Sequence, residues 1–419
     1  MSPIGVLGAS GAVGAAAISA LQQLGLGPLR LGARHLERLR AVKANSAELV
    51  AVDVTDAAAV RAFVRGCAVV LDCTGPSYEL GEAVPVAALA EKVPCVLVTG
   101  EQPVYEALTA LGDAASPVVL SAGTMPGLSG LLPRLLVQRE HDSHGRAAAP
   151  ARVVVAPNGT AAAHALGPGE SPWGFGPDGR PAAVGPAGSH AGGGASLVVH
   201  TGGLERATRT VAADLVLSLG VSAGAANLFG EAGAAWHEGA KRSRALAPAD
   251  DVEVAGFPGA VSAQPFLSLE SERVARDLGL HSLRAWHVHP GPAVRSVLAT
   301  LPAARHGNTP MDELIARILR AADVDLTGRA PYYRMVFTLT QPDGEQTSAL
   351  VTSPDSYRLT AAVGACAVQQ ILDGQVPSGV QFADRALDPA KVLNDLGTAD
   401  PQTRIDLVVG GAEDEEGAL

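Results

Sequence analysis

The stretch "IGVLGASGAVGAAAISAL", residues 4–21, joins a short apolar run to three glycines and an alanine-rich segment. Residues 3–7 predict a buried strand, and residues 12–24 predict a helix. Between them, Gly8 permits a tight turn, Gly11 lets a pyrophosphate approach the backbone, and Gly14 lets the helix lie close to the strand. The order of strand, glycine turn and helix therefore predicts a dinucleotide site. A secretory signal is not expected, because residues 1–29 contain no Lys or Arg.

The phosphates of the dinucleotide would bind to the free N–H groups of the first helical turn, helped by the helix dipole. The residues expected at the phosphates are Gly8, Ser10, Gly11, Ala12, Val13 and Gly14. Their G-x-x-G-x-x-G spacing differs from the commoner G-x-G-x-x-G, so a glycine-rich corner without a ligand is the alternative.

The second strand-and-helix unit indicates which dinucleotide binds. Residues 29–33 predict a strand, and Arg34 follows it where an NAD site usually has an acidic residue for the ribose 2′-hydroxyl. A guanidinium instead suits a 2′-phosphate, because its planar fork makes bidentate, charge-assisted hydrogen bonds. The sequence therefore predicts NADP(H) as the cofactor, with a solvated arginine at a helix start as the alternative. Asp53, at the end of the third predicted strand, is expected at the adenine edge.

Strands and helices continue to alternate as far as residue 122. Residues 48–54, 68–73, 95–98 and 118–122 predict strands, with helices between them. This alternation predicts an α/β fold with a doubly wound parallel sheet, which is a Rossmann domain. Ligands of such sheets lie at the carboxyl ends of the strands. The strand-end residues expected at the cofactor are Thr74, Gly75, Pro76, Gly100 and Gly123.

Composition limits the class of protein. At 419 residues, with 47% hydrophobic and 17% charged residues, the chain is long and apolar enough for two or three globular domains. The net charge of −11 argues against a nucleic-acid surface. No uninterrupted apolar run is long enough to span a membrane. The four cysteines form no disulfide framework, which fits a reducing cytoplasm.

A metal site is not expected either. The cysteines do not have the spacing of metal ligands. The motif "WHVHP" (286–290) offers two histidines that would share one face of a strand, but the sequence supplies no third ligand beside them.

Five motifs occur here in an order that is typical of one family. They are "GASGAVG" (8–14), "GARHLERL" (32–39), "CTGPSYELG" (73–81), "VTGE" (98–101) and "SAGTMPGLSGLL" (121–132). Together with residues 342–380, they resemble the saccharopine dehydrogenase-like NADP-binding oxidoreductase family. Cys95, Leu97 and Ser77 depart from the family's usual Tyr, Asp and aromatic residue, so we carry over no substrate contacts.

This resemblance and the Gly/Pro content predict the domain organisation. Residues 1–130 would form the Rossmann domain, and residues 131–355 a second, α+β substrate domain. Residues 156–196 are rich in Gly and Pro, and their aromatic residues favour a lid near this segment over disorder. In the C-terminal segment 356–410, a helix would return to the Rossmann domain, and residues 411–419 would be an acidic tail.

Two kinds of catalysis lack the residues that they need. Short-chain dehydrogenases place a Tyr four residues before a Lys, whereas the residues four before the lysines are Leu39, Ala88, His237 and Leu387. Semialdehyde dehydrogenases share a similar glycine turn but need a nucleophilic Cys after the nucleotide domain. No cysteine occurs between Cys95 and Cys366. Direct hydride transfer therefore remains.

Four residues are candidates for the acid or base. Tyr78 and Glu101 follow predicted strands, close to the expected nicotinamide position. His237 and Lys241 lie in "AAWHEGAKRSRAL", which predicts a helix with both residues on one face. The alternatives are loop packing for Tyr78, a helix-start carboxylate for Glu101 and an exposed helix face for the pair.

The resemblance implies chemistry at a C–N bond. The predicted function is an NADPH-dependent reductase that transfers hydride to the C=N bond of a small amino-acid-derived or biosynthetic-intermediate substrate, or the reverse. An NADPH-dependent enoyl reductase is the related alternative, and a non-catalytic NADP(H)-binding redox sensor is an alternative of another class. The expected partner is a small-molecule substrate, and a homodimer is left open.

Overall fold

A computed structural model describes residues 2–42, 46–143, 151–155, 161–165, 194–218, 229–306 and 309–409. The lid expected near 156–196 lies outside these ranges except for residues 161–165 and 194–196. The acidic tail expected at 411–419 lies outside them as well.

The first sheet is the doubly wound parallel sheet that the sequence predicts. Its strands are β1 (Ile4–Leu7), β2 (Leu29–Ala33), β3 (Glu48–Ala51), β4 (Val69–Asp72), β5 (Cys95–Leu97), β6 (Pro117–Leu120) and β18 (Gly379–Phe382). Within the described residues they are all parallel, in the order β18-β6-β5-β4-β1-β2-β3. The central strands β1 and β4 are buried along their whole length, which explains their apolar sequences up to Asp72 at the end of β4. The edge strand β3 is mostly exposed and ends before residue 54.

Helices cover both faces of this sheet. They are α1 (Ala12–Gln23), α2 (Leu36–Arg40), α3 (Ala57–Val64), α4 (Ser77–Leu80), α5 (Ala83–Glu91), α6 (Gln102–Thr109) and α7 (Leu128–Ser143). Because side chains alternate along a strand, neighbouring residues of β1 enter different cores. Val6 packs in the same core as Ile18 of α1, and Leu7 packs in the core of Phe63 on α3.

The second sheet is mixed and belongs to a second α+β domain. Its strands are β7 (Ala151–Val155), β8 (Ala161–Ala165), β9 (Ser196–Leu204), β10 (Gly230–Ala232), β11 (Ala235–His237), β12 (Ala240–Arg242), β13 (Ala249–Glu253), β14 (Ala260–Ser268), β15 (Ser282–His289), β16 (Tyr332–Thr340), β17 (Gln346–Ser353) and β19 (Arg404–Val409). Nine of the described strands follow the order β10-β14-β15-β9-β16-β17-β19-β7-β8. Here β9 and β15 pair in parallel, whereas β14–β15, β9–β16 and β16–β17 are antiparallel.

Four helices accompany the second sheet: α8 (Arg209–Ser218), α9 (Leu269–Asp277), α10 (Pro292–His306) and α11 (Met311–Leu326). Across the described ranges, no helix is both long and apolar enough to cross a membrane.

The chain returns to the first sheet after β17, as the sequence predicts for the C-terminal helix. This return consists of α12 (Ser356–Leu372), β18, α13 (Ala383–Ala386) and α14 (Pro389–Ala399). The buried helix α12 packs against α1 and over β4 and β5. A Cβ on its Gly364 would lie 3.1 Å from the side chains of Leu71 and Val98, so the glycine permits close packing. Beyond α14, β19 pairs with β17 in the second sheet.

The prediction of a helix around His237 and Lys241 is wrong. This segment forms the antiparallel hairpin of β11 and β12, and β11 also pairs with β15. Glu238 and Gly239 make the turn at φ values of 51° and 72°. The strand buries Trp236, whose indole N–H donates to the Leu280 carbonyl at 3.0 Å. Pairing and burial of this aromatic side chain outweigh the local preference for a helix.

Candidate active site

The turn after β1 has the geometry of a dinucleotide cradle. Gly8 has a φ of 73°, and a Cβ there would lie 2.6 Å from the carbonyl oxygen of Cys73. A Cβ on Gly14 would lie 2.2 Å from the carbonyl oxygen of Gly8. Larger residues at either position would push backbone segments apart, so these glycines set the close approach of α1 to β1 and β4.

The N-terminus of α1 is open to a ligand. Gly11 is its extended N-cap residue, no side chain caps the helix, and its first turn holds no acidic residue. By contrast, the carboxylates of Asp56 and Asp388 cap α3 and α14. The turn leaves four predicted phosphate contacts at least partly exposed: Ser10, Gly11, Ala12 and Val13. The positive end of a helix dipole without a cap fits a phosphate group.

Arg34 and Asp53 lie close together beyond the ends of β2 and β3. Hydrogen bonds from the Thr55 N–H (3.0 Å) and hydroxyl (2.8 Å) lower the pKa of Asp53, and the Arg34 charge lowers it further. Arg34 itself is exposed. Its guanidinium is therefore accessible to a 2′-phosphate on a nucleotide bound at the glycine turn.

We expect Arg34→Ala to weaken NADPH binding at least about tenfold, because a hydrogen bond to a charged group contributes about 1.5–3 kcal/mol. NADH binding should be nearly unchanged, since NADH lacks the 2′-phosphate. Titration calorimetry with both cofactors measures the two effects. Arg40→Ala, at an exposed arginine of the following helix α2, is the matched control. A wild-type protein that prefers NADH would contradict the assignment of NADP(H).

The predicted strand-end residues meet the second domain at one edge of the first sheet. A Cβ on Gly75, after β4, would lie 2.9 Å from the Thr210 side chain of α8. After β6, a Cβ on Gly123 would lie 2.4 Å from the Val98 carbonyl oxygen. The neighbouring strand-end residues are Thr74, Pro76 and Gly100, of which Gly100 is buried. This edge, covered by α8, is the cleft between the two domains.

Two partly buried carboxyl groups lie at this cleft. Glu101 follows β5, and Asp214 projects from α8. One carboxyl oxygen of each, Glu101 Oε2 and Asp214 Oδ1, is buried without a hydrogen-bond partner. Burial and the Glu270 charge raise the pKa of Glu101 to about 8; the Arg273 charge opposes this rise, and the Asp214 charge adds to it. Burial alone raises the pKa of Asp214 to about 7. Both groups can therefore exchange a proton near neutral pH.

The cations beside this pair already have partners. Arg273 donates to Asp384 at 2.8 Å, and Arg134 contacts both Asp384 at 2.8 Å and Asp277 at 2.7 Å. Glu270 accepts from the Ser129 hydroxyl and, at 2.7 Å, from the Gly127 N–H. The Glu270 carboxylate, which belongs to the second domain, thus binds the start of α7 in the first domain. These bonds leave Glu101 and Asp214 without an ion-pair partner among the described residues.

A small cavity lies between the start of α7 and the second sheet, and neither Glu101 nor Asp214 lines it. It has a volume of about 20 Å³, which is room for about one water molecule. One wall is the turn and helix after β6, with Met125 and Ser129. The other wall is one face of the second sheet: Leu197, Val199 and Thr201 of β9, and Leu283, Ala285 and His287 of β15. We call this the apolar pocket, and Ser129 connects it to Glu270.

Comparison with known proteins agrees with this architecture. Residues 8–109 match a family model described as NAD(P)H-binding, which supports a nicotinamide cofactor. The apo saccharopine dehydrogenase (L-Glu forming) from Saccharomyces cerevisiae is 13% identical, and the match covers 98% of this chain and 100% of that chain, with a TM-score of 0.62. This chain has the fold of saccharopine dehydrogenase. The resemblance drawn from the sequence motifs is thus confirmed for the fold.

Other solved structures match only a part of the chain. A Rossmann-fold NAD(P)-binding family protein from Shigella flexneri is 20% identical over 29% of this chain and 66% of that chain, with a TM-score of 0.24. An NADPH-dependent quinone oxidoreductase from Escherichia coli is 21% identical over 22% of this chain and 34% of that chain, with a TM-score of 0.20. No curated protein matches the sequence.

The saccharopine dehydrogenase fold does not bring all four predicted acid–base candidates together. Tyr78 lies in the short helix α4, after β4, and its side chain is outside the described part of the chain. Lys241 lies in β12, with its Nζ 3.4 Å from Glu272 and 3.7 Å from Glu231. His237 makes an edge contact with the ring of His281. Of the four, only Glu101 has its described side chain at the cleft.

The histidines of "WHVHP" do lie in a strand, β15, with His287 in the apolar pocket. Burial lowers the pKa of His287 to about 4 and that of His289 to about 3, so both rings are neutral. In the part of the chain that the structure describes, no three His, Cys, Asp or Glu side chains group as metal ligands.

Sequence reasoning missed the charged residues that surround Glu101. These residues lie on three helices that are far along the chain from the Rossmann motifs: Asp214 on α8, Glu270 and Arg273 on α9, and Asp384 on α13. No motif marks them. One signal could have identified Glu270 and Arg273: both are charged residues on the buried, apolar side of α9.

Proposed function

We propose that this protein is an NADPH-dependent reductase of a C=N bond in a small molecule. The observation that carries the proposal is the pair Glu101 and Asp214, at the carboxyl edge of the first sheet: each has one buried carboxyl oxygen without a hydrogen-bond partner, and neither forms an ion pair among the described residues. Ligands of doubly wound sheets bind at this edge. An imine becomes reactive towards hydride when its nitrogen is protonated and positively charged, and this pair suits such a cation.

The two carboxyl groups would have different tasks. Glu101 in its acid form donates a proton to the imine nitrogen. Asp214 in its ionised form then stabilises the positive charge on that nitrogen. When bound, NADPH supplies the hydride to the imine carbon. The C=N π pair becomes the nitrogen lone pair, the product is an amine, and Glu101 regains its proton from solvent.

The chain's own residues account for cofactor binding in this proposal. The turn with Gly8 and Gly14 and the uncapped start of α1 would hold the pyrophosphate. Arg34 would bind the 2′-phosphate. The site has no need of a metal or of a covalent intermediate.

Deuterium transfer tests the reaction. The protein is incubated with NADPH deuterated at the reactive carbon and with a set of cyclic imines and conjugated enones. We expect deuterium on the former imine carbon. Deuterium at the β-carbon of an enone, with no imine turnover, would favour the enoyl reductase. Tight NADPH binding without any turnover would favour the redox sensor.

We expect Cys73→Ser and Cys95→Ser to keep turnover within a few-fold of wild type. Burial raises the pKa of both thiols, and the Asp72 charge raises it further, so neither supplies a thiolate nucleophile. Turnover of each variant is measured together with its melting temperature, because Cys95 is fully buried. A loss of several orders of magnitude in a folded variant would indicate covalent catalysis instead.

A further inference from the structure

The helix that carries Asp214 has one side in the second domain and one side over the first sheet. On the first side, α8 packs against α10 and α11 in a small apolar core of their own. On the other side, Thr210 lies against Gly75, which follows β4. Asp214 comes four residues later on the same face of the helix, and its charge acts on Glu101. The position of this face over the strand ends therefore depends on how α8 is attached to the first domain.

The start of α8 is held by a tyrosine of the returning chain. Tyr357, in the first turn of α12, donates its hydroxyl proton to the Arg206 carbonyl oxygen at 2.9 Å and accepts from the Thr208 N–H at 2.9 Å. Burial and the Glu205 charge raise the pKa of Tyr357 to about 12, so the hydroxyl keeps its proton at neutral pH. Beside it, Glu205 accepts from the N–H (2.6 Å) and the hydroxyl (2.7 Å) of Ser356.

Thr208 connects the tyrosine to the helix. Its hydroxyl accepts from the Val211 N–H at 3.3 Å, and its carbonyl oxygen accepts from the Ala212 N–H at 2.9 Å. A threonine with these bonds is the N-cap residue of α8. The Tyr357 hydroxyl thus binds the backbone of the N-cap residue, less than two helical turns before Asp214.

The helix α12 is itself fixed to the strand ends of the first sheet. The Thr360 hydroxyl donates to the Thr124 hydroxyl at 2.9 Å, in the turn after β6. Where β6 ends, the Ser121 hydroxyl donates to the Gly100 carbonyl oxygen at 2.6 Å, next to Glu101. Hydrogen bonds and a few residues of backbone therefore connect Glu101 to α12, and the tyrosine hydroxyl extends this connection to α8.

We propose that Tyr357 is a positioning residue for the carboxyl pair: its hydroxyl fixes the start of α8, so that Asp214 faces Glu101 across the cleft. The catalytic use of the pair rests on the proposed function, whereas the placement of α8 rests on the hydrogen bonds of the tyrosine. Removing the hydroxyl leaves the Glu205 bonds to Ser356 in place. A variant without it should therefore fold while the start of α8 is released.

Kinetics of Tyr357→Phe test this role, because the variant keeps the ring and loses only the hydroxyl. We expect the turnover number for imine reduction to fall at least about tenfold, since misplacing a catalytic group by a small distance costs rate. The dissociation constant of NADPH should stay the same. Tyr332→Phe is the matched control, because the Tyr332 hydroxyl has no hydrogen-bond partner among the described residues.

A double-mutant cycle separates positioning from a general loss of structure. If the tyrosine acts through Asp214, adding Tyr357→Phe to Asp214→Asn should lower turnover further by about twofold or less. Equal losses in the wild-type and Asp214→Asn backgrounds would overturn the positioning role and leave the C=N reaction standing. Full turnover in Tyr357→Phe would overturn it as well.

Titration of the Asp214 carboxyl group gives a measurement without turnover. In protein with ¹³C-labelled aspartate carboxyl groups, the NMR signal missing from Asp214→Asn identifies this residue. We expect its midpoint near pH 7 in the wild type and at least about one pH unit lower in Tyr357→Phe, because a released helix exposes the carboxyl group to water. An unchanged midpoint would contradict the placement by Tyr357. A lowered midpoint in a protein that reduces no imine would support the placement and contradict the reaction.

Discussion

Glu101→Gln is expected to lower the turnover number for imine reduction by about 10²–10⁴, the usual contribution of general acid catalysis. The amide keeps the size of the side chain but has no acidic proton for the imine nitrogen. Its effect should fall on turnover rather than on NADPH affinity, because the predicted phosphate contacts lie at the turn after β1. Steady-state kinetics and cofactor titration separate these quantities.

The pH dependence of the wild-type rate should report the same group. The pKa of Glu101 is raised to about 8, so its acid form persists through neutral pH and is lost above about pH 8. Turnover should therefore fall as the pH rises through this value, and the fall should be missing from the residual activity of Glu101→Gln. Glu106→Gln, an exposed change on the same helix α6, is the control. An unchanged turnover in Glu101→Gln would remove this residue from the chemistry but leave imine reduction standing.

Asp384→Ala is expected to lower the free energy of unfolding by about 3–5 kcal/mol, the usual effect of removing one partner from a buried ion pair. The Asp384 side chain is 0% exposed and binds two arginines, Arg273 (7% exposed) and Arg134 (17% exposed). The variant leaves the buried Arg273 guanidinium with only the Glu270 carboxylate, at 4.0 Å, as an anion, and its Nε already has no hydrogen-bond partner. Denaturant unfolding followed by circular dichroism measures the change.

An exposed ion pair provides the comparison for Asp384. Asp373 contacts Lys391 at 2.6 Å, but its side chain is 42% exposed. Asp373→Ala should therefore cost only about 0–1 kcal/mol. Equal losses of unfolding free energy in the two variants would show that burial does not determine how strongly the Asp384 contacts stabilise the protein.

The first sheet could be predicted in detail because its signals are local. An apolar run of four or five residues, a glycine turn and a helix specify each unit without reference to the rest of the chain. Gly8 and Gly14 illustrate this: the atoms that exclude a Cβ there belong to the turn after β1 and to the residues that follow β4, all within the same domain. Glu101 could be selected for the same reason, because it directly follows a strand end.

The rest of the site depends on contacts between distant segments. Asp214 and Glu270 reach the cleft only because the second domain folds over the carboxyl edge of the first sheet. Local patterns also failed at His237 and Lys241, where alanines and charges suggest a helix but pairing with β15 imposes a strand. Local sequence likewise gave no sign that β18 would extend the first sheet beyond β6.

The return of the chain to the first sheet has a consequence for biosynthesis. A ribosome releases β1 to β6 first, but Val118 can pair with Val380, and α12 can cover α1, only after more than two hundred further residues have been made. Until then, β6 has an open edge and α1 exposes apolar side chains such as Ile18, which α12 later helps to cover. Such pairings between distant residues slow folding and prolong exposure to aggregation. The first sheet is therefore completed only after α12 and β18 have been made, more than two hundred residues after β6.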